Sequence, residues 1–192
     1  IAISALDVDF MVEHRTGMAI FNLFLIALLL PFGIRVGGNR SWLHFPFLPV
    51  NIQPAEICKI TFILIMASVM GSHQNRPSAI TSVMHMGFHL LLFFLPNLLI
   101  SGDMGVSLIF VFILIGMAFA GGVNLLWFLG GAGALVAMAP IIWSRLGAYQ
   151  QNRILILFDP TIDPTGIGPR YHTRLSLESL TGGGLMGQGL FQ

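Results

Sequence analysis

Long apolar runs with very few charges, separated by polar links, occupy most of this sequence and constrain its fold more than any other feature. Lipid offers no partners to backbone N–H and C=O groups, so such runs cross a bilayer as helices of about 20 residues that bond internally. The runs are Gly17–Val36, Glu56–Met70, Ile80–Ile100, Gly105–Ala120 and Leu125–Trp143, and residues 1–6 read as the tail of an earlier span. The second and fourth are short for a full crossing, which predicts tilt or local thinning of the bilayer. Composition agrees: 9% of residues are charged and mean hydropathy is +0.84, where a soluble domain carries roughly a quarter charged residues. The fold class expected is all-α, a polytopic transmembrane helix bundle. A formal net charge of +1 gives no electrostatic reason to expect nucleic acid as a partner. The single cysteine, Cys58, has no partner for an intrachain disulfide.

The links differ in character. A polar stretch runs from Asp7 to Arg15, a Gly/Pro-rich loop from Gly33 to Pro54, and a tight link passes through Ser101–Asp103. From Ser144 onward the chain is polar, with two Asp-Pro steps and many glycines, and long loops of this kind on a rigid scaffold usually carry function. Alternating the links places Arg15 and Arg76 on one side, and Arg35, Arg40, Arg145, Arg153, Arg170 and Arg174 on the other. The positive-inside rule would make the second side cytoplasmic, unless its arginines serve an anionic substrate.

Within this frame Glu56 and Lys59 in Asn51–Lys59 (NIQPAEICK) are the most informative residues. Charges at the mouth of a span cost several kcal/mol if they face lipid, so they are functional candidates by default, and at i, i+3 they share a helix face and can pair. The plainer reading is an interfacial pair that closes a helix end, and Pro54 in the first turn suits it. Asp103, in SGDMG, either caps the next helix or lines a polar cavity with Lys59. Trp42, in GGNRSWL, reads first as an interfacial anchor.

Other motifs carry less. His85 and His89 have the i, i+4 spacing of a zinc pair but no following glutamate or third ligand, and helix–helix hydrogen bonding suits them better. The glycines from Gly182 to Gly189 lack the Lys-Ser/Thr of a phosphate loop. Gly116/Ala120 and Gly130/Ala134 have the small-xxx-small spacing of closely packed helices. In the tail, Leu175, Leu177 and Leu180 leave an interfacial helix open. Arg153, Arg170 and Arg174 there can hold a diphosphate or anchor head groups.

Taken in order, GGNRSW, QPAEICK, an aspartate link and NRILILFDPTIDPTGIG followed by a tyrosine, a serine and GGGLMGQG resemble the SEDS (FtsW/RodA/SpoVE-type) family of shape, elongation, division and sporulation proteins. The resemblance runs from about Arg40 to the end. It implies a membrane protein of about ten helices, of which residues 1–192 hold a partial domain: helices three to seven, the end of helix two at residues 1–6, and the start of a large polar extracellular loop. It implies a peptidoglycan glycosyltransferase of the bacterial cytoplasmic (inner) membrane, polymerising lipid II at the outer face beside a class B penicillin-binding protein. Trp42 matches the family's tryptophan at the outer end of its third helix, Glu56 and Lys59 its polar pair, and Asp103 its aspartate between helices five and six. Arg153, Asp163, Gly166, Tyr171 and Ser176 match its large loop. The family's Gln-Pro before the aspartate is Ser101-Gly102 here, two extra residues stand around Pro169 and Arg170, and Leu175 replaces a glutamine.

What this implies for chemistry is specific. No residue of this stretch matches the family's general base, an aspartate expected beyond Gln192, so the piece alone is expected to be inactive. Trp42, Glu56, Lys59, Asp103, Arg153 and Asp163 are the expected substrate-binding or cavity residues. No metal ligands or cofactor are evident, and a divalent cation stays open. A lipid-linked precursor transporter and a non-catalytic scaffold for a penicillin-binding protein remain the alternatives.

Overall fold

The computed structural model describes residues 14–36, 39–45, 50–156, 158–163, 166, 170–184 and 187. The proposed tail of an earlier span at residues 1–6, as well as Pro169 and Gly189, lies outside them. Contacts divide the chain into two compact units, Ile1–Gly130 and Gly131–Gln192.

The first unit opens with α1 (Arg15–Ala27) and a four-residue continuation, α2 (Leu29–Phe32). The break at Leu28 has a local cause, since Pro31 has no N–H to give the Ala27 carbonyl. The run read as one span to Val36 therefore ends earlier, at Phe32. A hairpin follows, β1 (Gly33–Val36) antiparallel to β2 (Asn39–Leu43), with Gly33 opposite Leu43 and Ile34 opposite Trp42. The stretch read as a loop thus holds a small sheet, and Leu43 pairs onward with Ile52 in an isolated bridge. Pro54, with its φ preset, starts α3 (Pro54–Ser72).

After the turn at 73–79 comes α4 (Ile80–Pro96), in which Pro96 withholds an N–H from the Leu92 carbonyl; the helix then widens into a π turn, Asn97–Ser101. The first unit also contains α5 (Met104–Ala120), and α6 (Leu125–Arg145) runs on into the second. Among the described residues, four stretches are long and apolar enough to cross a membrane: Arg15–Phe32, Pro54–Ser72, Ile80–Ser101 and Leu125–Arg145. The expected short second span is lengthened by two residues at each end, whereas α5 stays short at 17 residues.

Packing in the first unit centres on α3. Phe62, fully buried, meets Phe93 of α4 and Phe110 of α5 edge-on, each with ring centroids 5.3 Å apart. Ile26, Ile65, Met66 and Val69 extend this core, while Ile20, Phe24, Ile60, Phe88 and Phe112 point outward. Lipid is as apolar as these side chains, so what holds such helices together is close packing and interhelical hydrogen bonds. Two bonds fix α1 antiparallel to α3: Asn22 Nδ2 donates to Thr61 Oγ1, and Arg15 Nη1 donates to Ser68 Oγ at 3.3 Å. The small-residue expectation for Gly116 and Ala120 is not met inside this unit. A Cβ on Gly116 would meet open space, Ala120 is exposed, and the tight approach is Met70 against Gly121 at the end of α5.

In the second unit α6 ends at Arg145, and α7 (Ala148–Leu155) starts where the Gln150 side chain accepts the Gly147 N–H at 3.0 Å. A single 3-10 turn, Pro160–Ile162, and α8 (Tyr171–Gly183) follow, so the polar tail is more helical than its composition suggested.

Replacing Phe62 by alanine removes the ring on which two others rest. This is expected to lower stability by about 3 to 5 kcal/mol, read as a drop in detergent melting temperature of the full-length protein. An unchanged melting temperature would remove the aromatic cluster as the centre of the bundle.

Candidate functional site

The hairpin determines how α3 begins. Leu43 and Ile52 exchange both backbone bonds, with the Leu43 N–H donating to the Ile52 carbonyl at 2.7 Å and the Ile52 N–H returning at 3.1 Å. Two residues later Pro54 opens the helix, so Glu56 falls in its first turn and Lys59 one turn on. Lys59 Nζ lies 2.8 Å from each Glu56 carboxylate oxygen. Their side chains are 20% and 58% exposed respectively, so the lysine stem is packed while the glutamate sits at the rim. Glu56 is also favoured there by the positive end of the helix dipole. Trp42 stands half-buried in β2 opposite Ile34.

Asp103 does cap α5: its Oδ1 accepts the Val106 N–H at 3.2 Å. Its second oxygen accepts the Ser41 hydroxyl of β2 at 3.1 Å, which ties the hairpin to this helix start. Behind it runs a chain of buried polar groups that the sequence reading missed. The Asp103 N–H donates to Ser101 Oγ at 3.0 Å, and that hydroxyl donates to the Asn97 carbonyl at 2.6 Å. Asn97 Nδ2 donates to Ser107 Oγ at 2.9 Å, and the Ser107 hydroxyl returns to the Asp103 carbonyl at 2.8 Å. Ser41, Asn97, Ser101 and Ser107 are all buried. Gly102 makes the circuit sterically feasible with φ +71°, a region L side chains avoid. Among the described residues no hydrogen bond or ion pair joins Asp103 to the Glu56–Lys59 pair.

The signals for these residues were faint but present. Gly37-Gly38 between Ile34–Val36 and Trp42–Leu43 is a hairpin pattern. Asn97, directly after a proline inside an apolar run, is the kind of polar residue that re-satisfies a broken helix.

In the second unit Arg153 lies in the last turn of α7, where a cation suits the helix C-terminus. Asp163 is buried, and its carboxylate is committed to its own loop: Oδ1 accepts the Gly166 N–H at 3.0 Å and Oδ2 the Arg170 N–H at 3.2 Å. Gly166 has φ +63°, and a Cβ there would come 2.7 Å from Arg174 Cδ. Tyr171 begins α8 and Ser176 is exposed along it.

The histidines do less than their spacing suggested. His89 Nδ1 lies 2.9 Å from the His85 carbonyl of its own helix, so the expected bond between helices is replaced by one within a helix. The ring of His73, at the end of α3, reaches His85 with centroids 5.2 Å apart. Among the described residues no three His, Cys, Asp or Glu side chains converge in a way that could hold a metal ion.

Asp159, before the first of the two Asp-Pro prolines, accepts from both the N–H and the hydroxyl of Thr161, at 2.9 and 2.6 Å. These bonds, that to the hydroxyl first, hold its carboxyl below the usual aspartate range. A folded value below the unfolded one means that its contribution is present above the unfolded pKa and is lost as pH falls through the folded one. Thr161→Ala, which removes the hydroxyl and keeps the backbone N–H, is expected to move the Asp159 titration midpoint, followed by carboxyl NMR, upward part of the way toward the ordinary value. A midpoint that stays put would show that the hydroxyl is not the cause.

Comparison with known proteins agrees with this architecture. The family model for FtsW/RodA/SpoVE, described as cell cycle protein, matches residues 1–192. The chain is 31% identical over 185 residues to a probable peptidoglycan glycosyltransferase FtsW of Thiomicrospira cyclica, covering 93% of this chain and 45% of that protein. It is 33% identical over 177 residues to the peptidoglycan glycosyltransferase MrdB of Escherichia coli, covering 87% of this chain and 45% of MrdB. Among solved structures it superposes with a TM-score of 0.72 and 25% identity on a chain of a peptidoglycan synthase complex that coordinates polymerization and crosslinking, covering 93% of this chain and 52% of that one. The rod shape determining protein RodA of Thermus thermophilus shares the fold at a TM-score of 0.54 and 24% identity, over 69% of this chain and 43% of RodA. The chain therefore spans about half the length of the relatives it matches. With its whole length matched by the family model and its membrane helices arranged as in these relatives, the chain belongs to the FtsW/RodA/SpoVE family of multi-pass membrane proteins.

Proposed function

We propose that the full-length protein containing this chain is a peptidoglycan glycosyltransferase that polymerises lipid II at the outer face of the bacterial cytoplasmic membrane. The observation that carries this reading is the Glu56–Lys59 pair, an ammonium held at 2.8 Å from a carboxylate in the opening turns of a membrane span, in a chain whose relatives are named peptidoglycan glycosyltransferases. The likeness to a chain of a peptidoglycan synthase complex supports a penicillin-binding protein as partner.

The reaction joins a sugar hydroxyl of one lipid-linked substrate to the anomeric carbon of another, and undecaprenyl diphosphate leaves. A base must take the hydroxyl proton, and cations must stabilise the charge that grows on the departing diphosphate. Lys59 supplies such a cation. Glu56 keeps the ammonium in place, and Asp103 organises the polar circuit at the start of α5. Trp42 lines the lipid-facing entrance. In the second unit, Arg153 either offers a cation to the diphosphate or orients its loop, while Asp163 shapes that loop. None of the residues named here is assigned as that base. On this reading the side that carries the hairpin faces outward, and its arginines depart from the positive-inside rule because they serve an anionic substrate.

In a polymerisation assay on the full-length protein with its partner, Lys59→Ala and Arg153→Ala are each expected to slow product formation. Losing a charge-stabilising donor costs about 100-fold in comparable sites. Normal rates in both variants would sink the proposal. Lipid II crossing vesicles without polymer would favour a transporter instead.

A further inference from the structure

Asp103 owes its geometry to more than its own helix. One carboxylate oxygen is occupied by the α5 N-terminus, and its backbone N–H is held by Ser101. Among the described residues the other oxygen meets one donor, the Ser41 hydroxyl at 3.1 Å, which comes from a different element. Ser41 is buried, at 4% exposure, so water does not replace this bond freely. Its neighbours in β2 limit its movement. Arg40 lays its side chain over Gly33, where a Cβ would come 2.6 Å from Arg40 Cγ, and donates through Nη1 to the Leu30 carbonyl of α2 at 3.3 Å. Trp42 follows directly and is paired with Ile34. The hairpin is thus anchored at one side to the end of α2 through Arg40, and at the other to the start of α5 through Ser41.

We propose that Ser41 is a positioning residue: its hydroxyl orients the second oxygen of the Asp103 carboxylate and holds the Trp42 strand in register with the head of α5. A carboxylate held by one capping bond alone can still swing as a rigid unit about its side-chain torsions within the slack of that bond, carrying both oxygens with it. The Ser41 bond removes that freedom. It also makes the positions of Trp42 and Asp103 interdependent, so a substrate group lying against either would feel a change at Ser41. This inference rests on the reading of Asp103 as part of a substrate-binding polar circuit.

The test uses full-length protein with its partner, lipid II as substrate, and four forms: wild type, Ser41→Ala, Ser41→Thr and Asp103→Asn. Steady-state polymerisation and detergent melting are measured for each. Ser41→Ala is expected to lower kcat/KM by about tenfold, the size of one lost hydrogen bond to a charged group, beyond what any change in melting temperature explains. Ser41→Thr, which keeps the hydroxyl, is expected to restore activity to within about twofold. Normal activity in Ser41→Ala, or no rescue by threonine, together with a defective Asp103→Asn, would overturn the positioning role and leave the site reading intact. Normal activity in Asp103→Asn would overturn the site reading and this inference with it. A loss in Ser41→Ala that simply tracks melting temperature would reduce Ser41 to a stabilising residue and overturn the proposal.

Discussion

In hydrocarbon, every backbone N–H and C=O must be bonded within the protein, and much of this structure follows from where that rule is strained. The helices are regular through most of their apolar stretches, and two of them are disrupted at prolines, whereas α6 runs on through Pro140. Pro31 interrupts the first span and Pro96 loosens the fourth helix into a wide turn. Polar side chains gather at the second break. Asn97, Ser101, Ser107 and Asp103 bond to backbone and to one another around it. The buried polar circuit therefore accompanies the break at the end of this helix, and it sets fixed dipoles among buried side chains at the junction with α5.

The hairpin performs a second kind of work. Two short strands would be marginal by themselves, and this pair is held by its surroundings: the Leu43–Ile52 bridge on one flank and the Arg40 and Ser41 bonds on the other. In return it fixes the approach to Pro54, which decides the rotational phase at which α3 enters the bundle. That phase places Cys58, Phe62, Ile65 and Val69 inward, with Lys59 alongside and Glu56 at the rim. The charged pair and the aromatic core are two faces of one helix, so mispacking of the core would also move the charges.

The polar tail solves a different problem, that of ordering a segment with few apolar anchors. Its two aspartates before proline act locally. Asp159 closes a turn on Thr161, and Asp163 gathers the backbone of Gly166 and Arg170 so that α8 begins at Tyr171. An acidic residue that looks available for chemistry in the sequence is here largely committed to backbone donors. This distinction cannot be read from a motif.

The sequence by itself determined the membrane class, the helical spans to within a few residues, the pairing of Glu56 with Lys59 and the cap at Asp103. All of these depend on local rules: hydropathy over one bilayer width, i, i+3 geometry and N-cap chemistry. Family membership was legible for the same reason, since motif order survives in the chain itself. Tertiary structure alone decided that Ser41 reaches Asp103 across 62 residues, and that Met70 packs on Gly121 while Gly116 faces outward. Each of these depends on which distant backbone arrives within about 3 Å of a polar group, or within van der Waals contact of a glycine. Such encounters are fixed by the packing of several helices at once, and no single segment of sequence encodes them.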